Sequence, residues 1–218
     1  LAVNAVVSSR VIFSGQVCNC AERVYVEDKI HDEFMDRVTK KMNALNVQDA
    51  FSKDNPDMSA MVSKAQMDKV AEMVEFAKKE GAEVLVGGHK SSQFDKGYFY
   101  QPTLLTNVTQ NMQVMKEEVF GPVLPVMKFS TLDEAIALAN DSEYGLTSSI
   151  FSENFNKVMH AADQLEFGET YINREHFEAI QGFHAGWKKS GIGGADGKHG
   201  MQEYLQTKVV YAQFKTLL

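Results

Sequence analysis

The chain has 218 residues, 44% of them apolar and 23% charged, and a formal net charge of −7. That composition suits a globular protein with a sizeable core, in one large domain or two small ones. An acidic balance without long Lys or Arg runs argues against a nucleic-acid partner, and no apolar run reaches the ~20 residues of a membrane helix.

Residues 1–13 read as a helix that Gly15 ends. Leu1 starts inside that pattern without a cap or an initiator Met, which suggests a piece of a longer protein. Ser8, Ser9 and Arg10 make the segment too polar for a signal-peptide core. Residues 24–26 form a short strand. Residues 28–46 form a helix with Ile30, Phe34, Val38, Met42 and Leu45 at 3–4 spacing. Residues 49–59 are polar and read as a loop. Ser63 caps a helix to about Gly81 whose apolar face comes from Met67, Val70, Met73, Val74 and Phe76.

A strand at residues 84–86 closes on Gly87-Gly88, and residues 89–96 make a polar, hairpin-like loop. Residues 98–105 and 123–129 are strand candidates. Thr131 caps a helix through Leu138. A strand at 147–151, a helix at 154–165 and a strand at 169–172 follow. Residues 174–200 are rich in Gly and aromatics and poor in periodicity. Residues 204–214 read as an extended strand with no partner in the chain, one that could pair on another subunit. Strands alternating with helices give an α/β fold with a mostly parallel sheet flanked by helices.

Both cysteines lie in Ser14-Gly15-Gln16-Val17-Cys18-Asn19-Cys20-Ala21-Glu22-Arg23. One residue apart, they do not make a disulfide framework, which points to a reducing compartment, the cytosol. A nucleophilic cysteine needs an exposed, thiolate-forming position, and Gly15 permits close approach of a ligand to the backbone. On the residues alone, a buried core cysteine is the commoner outcome. A Cys-x-Cys pair also begins some zinc sites, but those take four ligands. His176, His184 and His199 lack ligand-like spacing, so no metal is expected. The run 191–197 fails the dinucleotide fingerprint, with Asp196 at the third Gly position, and reads as turn glycines.

Residues 11–22 resemble the active-site signature of the aldehyde dehydrogenase superfamily, whose core is Gly-Gln-x-Cys. Glu117-Glu118-Val119-Phe120-Gly121-Pro122-Val123, Tyr144-Gly145-Leu146 and Lys188-Lys189-Ser190-Gly191-Ile192-Gly193 resemble further blocks of that family, in the right order. Cys18-Asn19-Cys20-Ala21-Glu22-Arg23 and Gly182-Phe183-His184-Ala185-Gly186-Trp187 resemble its members that act on lactaldehyde and glycolaldehyde. The resemblance implies a catalytic domain at 1–200, a C-terminal arm at 201–218 that serves a homo-oligomer, and a cytoplasmic enzyme oxidising a small aldehyde. It makes Cys18 the nucleophile and leaves Cys20 to pack or line the pocket. Glu118 and Phe120 become contacts of an NAD cofactor, with NADP left open, while Glu117 stays a solvent-facing charge.

His184 stands where the family commonly has an aromatic that lines the aldehyde tunnel. A His there suits a hydroxylated aldehyde, and Glu178 is a second candidate reader of that hydroxyl. Phe13 replaces a frequent Asn before the Cys. The family's general base, in a Glu-Leu-Gly-Gly motif, and its Rossmann domain precede the Cys and are absent from this sequence; Glu166 resembles the base motif but follows Cys18. Negligible NAD-dependent turnover is therefore expected of the chain alone. Two other readings are a non-catalytic fragment that folds and associates, and a relative that passes the acyl group to coenzyme A.

Overall fold

The computed structural model describes residues 1–175 and 177–215. Helix α1 (Ala2–Val11) leads to strand β1 (Val24–Glu27) and helix α2 (Asp28–Asn43). Helix α3 (Lys64–Glu80) is capped by the Ser63 side chain, which accepts from the Gln66 backbone N–H, and stops at Gly81 in the left-handed region. Strands β2 (Glu83–Val86) and β3 (Thr103–Thr106), the short helix α4 (Gln113–Lys116) and strand β4 (Val123–Phe129) complete the main layer.

The sheet has the order β1-β4-β3-β2, with β4 parallel to both neighbours and β2 antiparallel to β3. Both faces are covered, as a mostly parallel sheet requires. Leu104 and Leu124 point toward α1 and α2, where Val7, Val38 and Met42 pack. Their sequence neighbours Leu105 and Val123 point toward α3 and meet Val70, Val74 and Ala77. Each such aliphatic side chain contributes roughly 1.5–3 kcal/mol by leaving water.

Beyond β4 the chain forms a second, lighter lobe. It comprises α5 (Leu132–Asn140), β5 (Tyr144–Gly145), β6 (Thr147–Ile150), α6 (Phe155–Gln164) and β7 (Glu169–Ile172). The two-residue strands β8 (His184–Ala185), β9 (Trp187–Lys188) and β10 (Gly194–Ala195) and helix α7 (Gly197–Gln202) follow. Strands β6 and β7 are parallel, whereas β5–β9 and β8–β10 are antiparallel. Its core is one small cluster around Ile136, Ala161 and Leu165.

Four expectations are corrected. Helix α2 ends at Asn43, and its buried stripe is His31, Met35, Val38 and Met42; Ile30 is exposed and Phe34 only partly buried, because both border a cavity. Phe76 is exposed and Ala77 takes the inner position, as a 3.6-residue period from Val70 and Val74 dictates. The strand expected at 98–105 shrinks to Thr103–Thr106, since Pro102 has no N–H to give a ladder. Residues 204–214 form no strand. They run exposed, with Tyr204, Leu205, Val209, Val210, Tyr211 and Phe214 open to solvent and, among the described residues, no second strand to satisfy the backbone.

Candidate active site

The loop bearing Cys18 is set by three successive residues in the left-handed region: Phe13 (φ 45°), Ser14 (φ 59°) and Gly15 (φ 73°). They turn the chain sharply out of α1. Ser14 Oγ donates to the Ser59 carbonyl at 2.7 Å and fixes the turn. Gly15 is required there for a second reason: a Cβ would sit 2.2 Å from the Gly121 carbonyl oxygen. The close approach expected at Gly15 is thus to the Gly121 backbone. After it, Cys18 is exposed and Cys20 buried. Burial pushes the Cys20 thiol above its usual range, with Arg10 only partly opposing it. Of the two thiols, Cys18 is the one open to solvent.

Arg10, fully buried, holds the loop from below. Its Nη2 donates to the Gly15 carbonyl at 2.6 Å, and its Nη1 donates to the Ala21 carbonyl at 3.0 Å and to Glu22 Oε2 at 2.6 Å. The other Glu22 oxygen accepts the Val119 N–H at 2.6 Å. One guanidinium and one carboxylate therefore tie both ends of the Cys18 loop to the segment between Glu118 and Phe120. From α3, Gln66 Nε2 donates to the Val119 and Phe120 carbonyls, and Lys69 Nζ donates to the Glu118 carbonyl. Phe120 adopts φ 52°, so these bonds hold a backbone shape that an aromatic residue rarely takes.

Cys18, Glu22 and Glu118 line a common cavity of about 820 Å³ between the main sheet and the second lobe. Partial burial of the Glu118 carboxylate, and next the Glu22 charge, push its carboxyl above the usual range, with Lys69 and Arg10 opposing. A carboxylate on a cavity that an exposed thiol also lines could accept hydrogen bonds from the ribose hydroxyls of a nicotinamide cofactor. Phe120, Glu178 and His184 do not line this cavity.

Glu178 reaches the nucleophile loop from the other lobe: Asn19 Nδ2 donates to Glu178 Oε2 at 2.6 Å, beside Cys18 in sequence. His184 sits on β8 with Nδ1 2.9 Å from Glu169 Oε1. Glu166 is paired with Lys188 at 2.6 Å, and Glu117 is exposed. His176 lies outside the described residues. Among the described residues no group of three or more His, Cys, Asp or Glu side chains is placed to hold a metal, and no helix is long and apolar enough to cross a membrane.

Arg10, Glu22, Asn19, Gln66 and Glu169 are the residues that sequence reasoning missed. A signal existed for two of them. Arg10 is the sole charged residue among residues 1–13, and Gln66 lies three residues after a cap.

The sequence model of the aldehyde dehydrogenase family matches residues 1–210. The chain is 57% identical over 213 residues to lactaldehyde dehydrogenase of Escherichia coli (strain K12), covering 98% of this chain and 44% of that protein. It is 44% identical over 215 residues to 3,6-anhydro-alpha-L-galactose dehydrogenase of Vibrio sp. (strain EJY3), covering 98% and 45%. Its fold superimposes on the crystal structure of the Escherichia coli lactaldehyde dehydrogenase with a TM-score of 0.94, over 98% of this chain and 44% of that one. With betaine aldehyde dehydrogenase of Staphylococcus aureus in complex with NAD+, the TM-score is 0.91 at 35% identity, over 95% and 41%. The chain thus spans less than half the length of these relatives.

Proposed function

The chain belongs to the aldehyde dehydrogenase family, and from that premise we propose that it supplies the catalytic domain of a dehydrogenase of small 2-hydroxyaldehydes, with Cys18 as nucleophile. The observation that carries this reading is the position of Cys18. Cys18 lines the cavity that Glu118 also lines, and its sequence neighbour Asn19 is bonded to Glu178, so one exposed thiol lies near candidate groups for both cofactor and substrate.

The Cys18 sulfur attacks the aldehyde carbon, forming the C–S bond of a thiohemiacetal while negative charge moves onto oxygen. Backbone N–H groups near Cys18 serve as the oxyanion hole for that charge, in a loop that Arg10 holds through the Gly15 and Ala21 carbonyls. Glu118 and Phe120 would hold the nicotinamide end of NAD, or of NADP, which when bound would supply the hydride acceptor. Water then hydrolyses the thioester to the acid. Cys20, buried and held neutral, takes no part.

Glu178 and His184 read the substrate's hydroxyl. A site that hydrogen-bonds a hydroxyl discriminates against the analogue that lacks it, because its own polar groups are then left unpaired. The E. coli relative, whose printed name is lactaldehyde dehydrogenase, supports that substrate class. Two free thiols suit a reducing compartment, the cytoplasm. The exposed apolar residues from Tyr204 to Phe214 suit an arm that pairs on a second copy, with the domain ending near residue 200.

The test uses the intact enzyme carrying this chain, with glycolaldehyde and NAD, with and without coenzyme A. The expected result is NADH and free glycolate regardless of coenzyme A, with Cys18→Ala at least about a thousandfold slower. A strict need for coenzyme A, or a Cys18→Ala variant of ordinary rate, overturns the reading.

A further inference from the structure

The second lobe contains a polar cluster that the bond-making steps leave unused. Glu169, on β7, uses both carboxylate oxygens. Its Oε1 lies 2.9 Å from His184 Nδ1, and its Oε2 accepts the Tyr171 hydroxyl. The side chains of Glu169 and His184 are only 14% and 21% exposed, so water competes weakly for these bonds. The Arg174 guanidinium lies 5.6 Å above the Tyr171 ring. Burial, and next the bond to Glu169, push the Tyr171 phenol far above its usual range; Glu178 adds to the shift. Glu178 in turn holds Asn19, the neighbour of Cys18. The cluster therefore extends from the nucleophile loop to His184.

The chemistry of the donors fixes the tautomer. An ionised carboxylate only accepts hydrogen bonds. The Tyr171 O–H supplies one of its oxygens, and the His184 ring must supply the other from Nδ1. In a neutral imidazole that leaves Nε2 without a proton, as an acceptor. An acceptor is what a substrate hydroxyl, a donor, needs. Without Glu169 the ring could carry its proton on Nε2 and present the wrong group.

We propose that Glu169 is a positioning residue for recognition of the substrate's 2-hydroxyl: it holds His184 with the proton on Nδ1 and so presents Nε2 to that hydroxyl, with Tyr171 fixing the second carboxylate oxygen. The proposal rests on the reading of His184 as a substrate residue. Glu169 touches neither substrate nor cofactor; it acts through the ring. Sequence gives no hint of this role, because Glu169 is fifteen residues from His184 and pairs with it only when β7 and β8 are brought together.

The experiment compares kcat/KM for glycolaldehyde with kcat/KM for acetaldehyde, which lacks the hydroxyl, in the intact enzyme and in His184→Phe, Glu169→Ala and Glu169→Gln. His184→Phe is expected to lower the ratio about tenfold, the worth of one hydrogen bond. Glu169→Ala is expected to lower it by a similar factor while the acetaldehyde value changes by less than about twofold. Glu169→Gln is expected to restore most of the ratio, because its amide oxygen accepts the Nδ1–H. A second measurement needs no turnover: ¹⁵N NMR of histidine-labelled protein, with His184→Phe identifying the resonance, should show His184 protonated on Nδ1. A ratio that falls in His184→Phe but holds in Glu169→Ala overturns the role of Glu169 and leaves the substrate reading intact. A ratio unmoved in His184→Phe overturns both. An Nε2-protonated ring overturns the proposed tautomer, even where Glu169→Ala fails to fold.

Discussion

Up to β4, the polar side chains around the site are anchored to backbone. Arg10 grips the Gly15 and Ala21 carbonyls, Glu22 accepts the Val119 N–H, Ser14 holds the Ser59 carbonyl, and Gln66 holds two carbonyls of the Glu118–Phe120 segment. Beyond β4 they are anchored mainly to one another: Glu178 to Asn19, His184 and Tyr171 to Glu169, Arg174 over Tyr171. Bonds to backbone fix where a loop lies, whatever side chain is displayed on it. Bonds among side chains fix only each other, and a few substitutions rewrite them. Under the proposed function, the first region sets rate, through the placement of Cys18 against the Glu118–Phe120 segment, and the second sets which aldehyde is accepted. A large sheet with clusters on both faces supports the first, while one small cluster and two-stranded sheets support the second.

The strongest way to break this division is Gly15→Ala. The new Cβ would lie 2.2 Å from the Gly121 carbonyl oxygen, at a φ of 73° that alanine tolerates poorly, so the loop must shift away from the cofactor segment. The account predicts a fall in kcat of about a hundredfold, as for a misplacement of ~1 Å, with the glycolaldehyde/acetaldehyde preference kept. A changed preference at unchanged rate would reverse the assignment of the two regions.

Glu22→Gln has a smaller effect with a clear sign. It removes half of the Arg10 pair and leaves a buried guanidinium short of its partner, a loss of ~3 kcal/mol readable as a lower denaturation midpoint. It also removes a charge that pushes the Glu118 carboxyl upward. In the parent, cofactor binding should weaken as pH falls through the raised Glu118 titration, above the usual carboxylate range. In Glu22→Gln that acid limb should move to lower pH. Glu118 has its folded pKa raised, so the folded state binds its proton more readily than the unfolded one. Its ionisation costs stability as pH rises through that window, and the cost shrinks in the variant.

Phe13→Asn is the mildest test. Phe13 sits at φ 45° and is 74% exposed. Asn adopts the left-handed region more readily, which also gives a physical reason for the Asn that the family often carries there. The variant should gain about 1 kcal/mol of stability in denaturant titration and keep its rate.

Much of the architecture could be read in the sequence because the signals were local. Ser63 and Thr131 capped their helices as their side-chain oxygens allow, and Val123–Phe129 was bounded correctly by its apolar run. Cys18 was separable from Cys20 only through the motif; the structure adds that Cys18 is exposed and Cys20 buried. What could not be read were partnerships across long separations. Glu22 and Val119, Asn19 and Glu178, and Glu169 and His184 each look like ordinary surface residues until the sheet and the second lobe bring them together. The segment 204–214 failed for the opposite reason. Its alternation is that of a strand, but a strand also needs a neighbour, and this chain offers none among the described residues.

Acyl transfer from an activated ester such as p-nitrophenyl acetate tests the central claim most directly, since it needs only the exposed thiol on its loop. The account predicts a burst of acylation on the chain with the acetyl group located on Cys18 by peptide mass spectrometry, retained in Cys20→Ala and lost in Cys18→Ala. An acetyl group on Cys20, or a burst that survives Cys18→Ala, would contradict it.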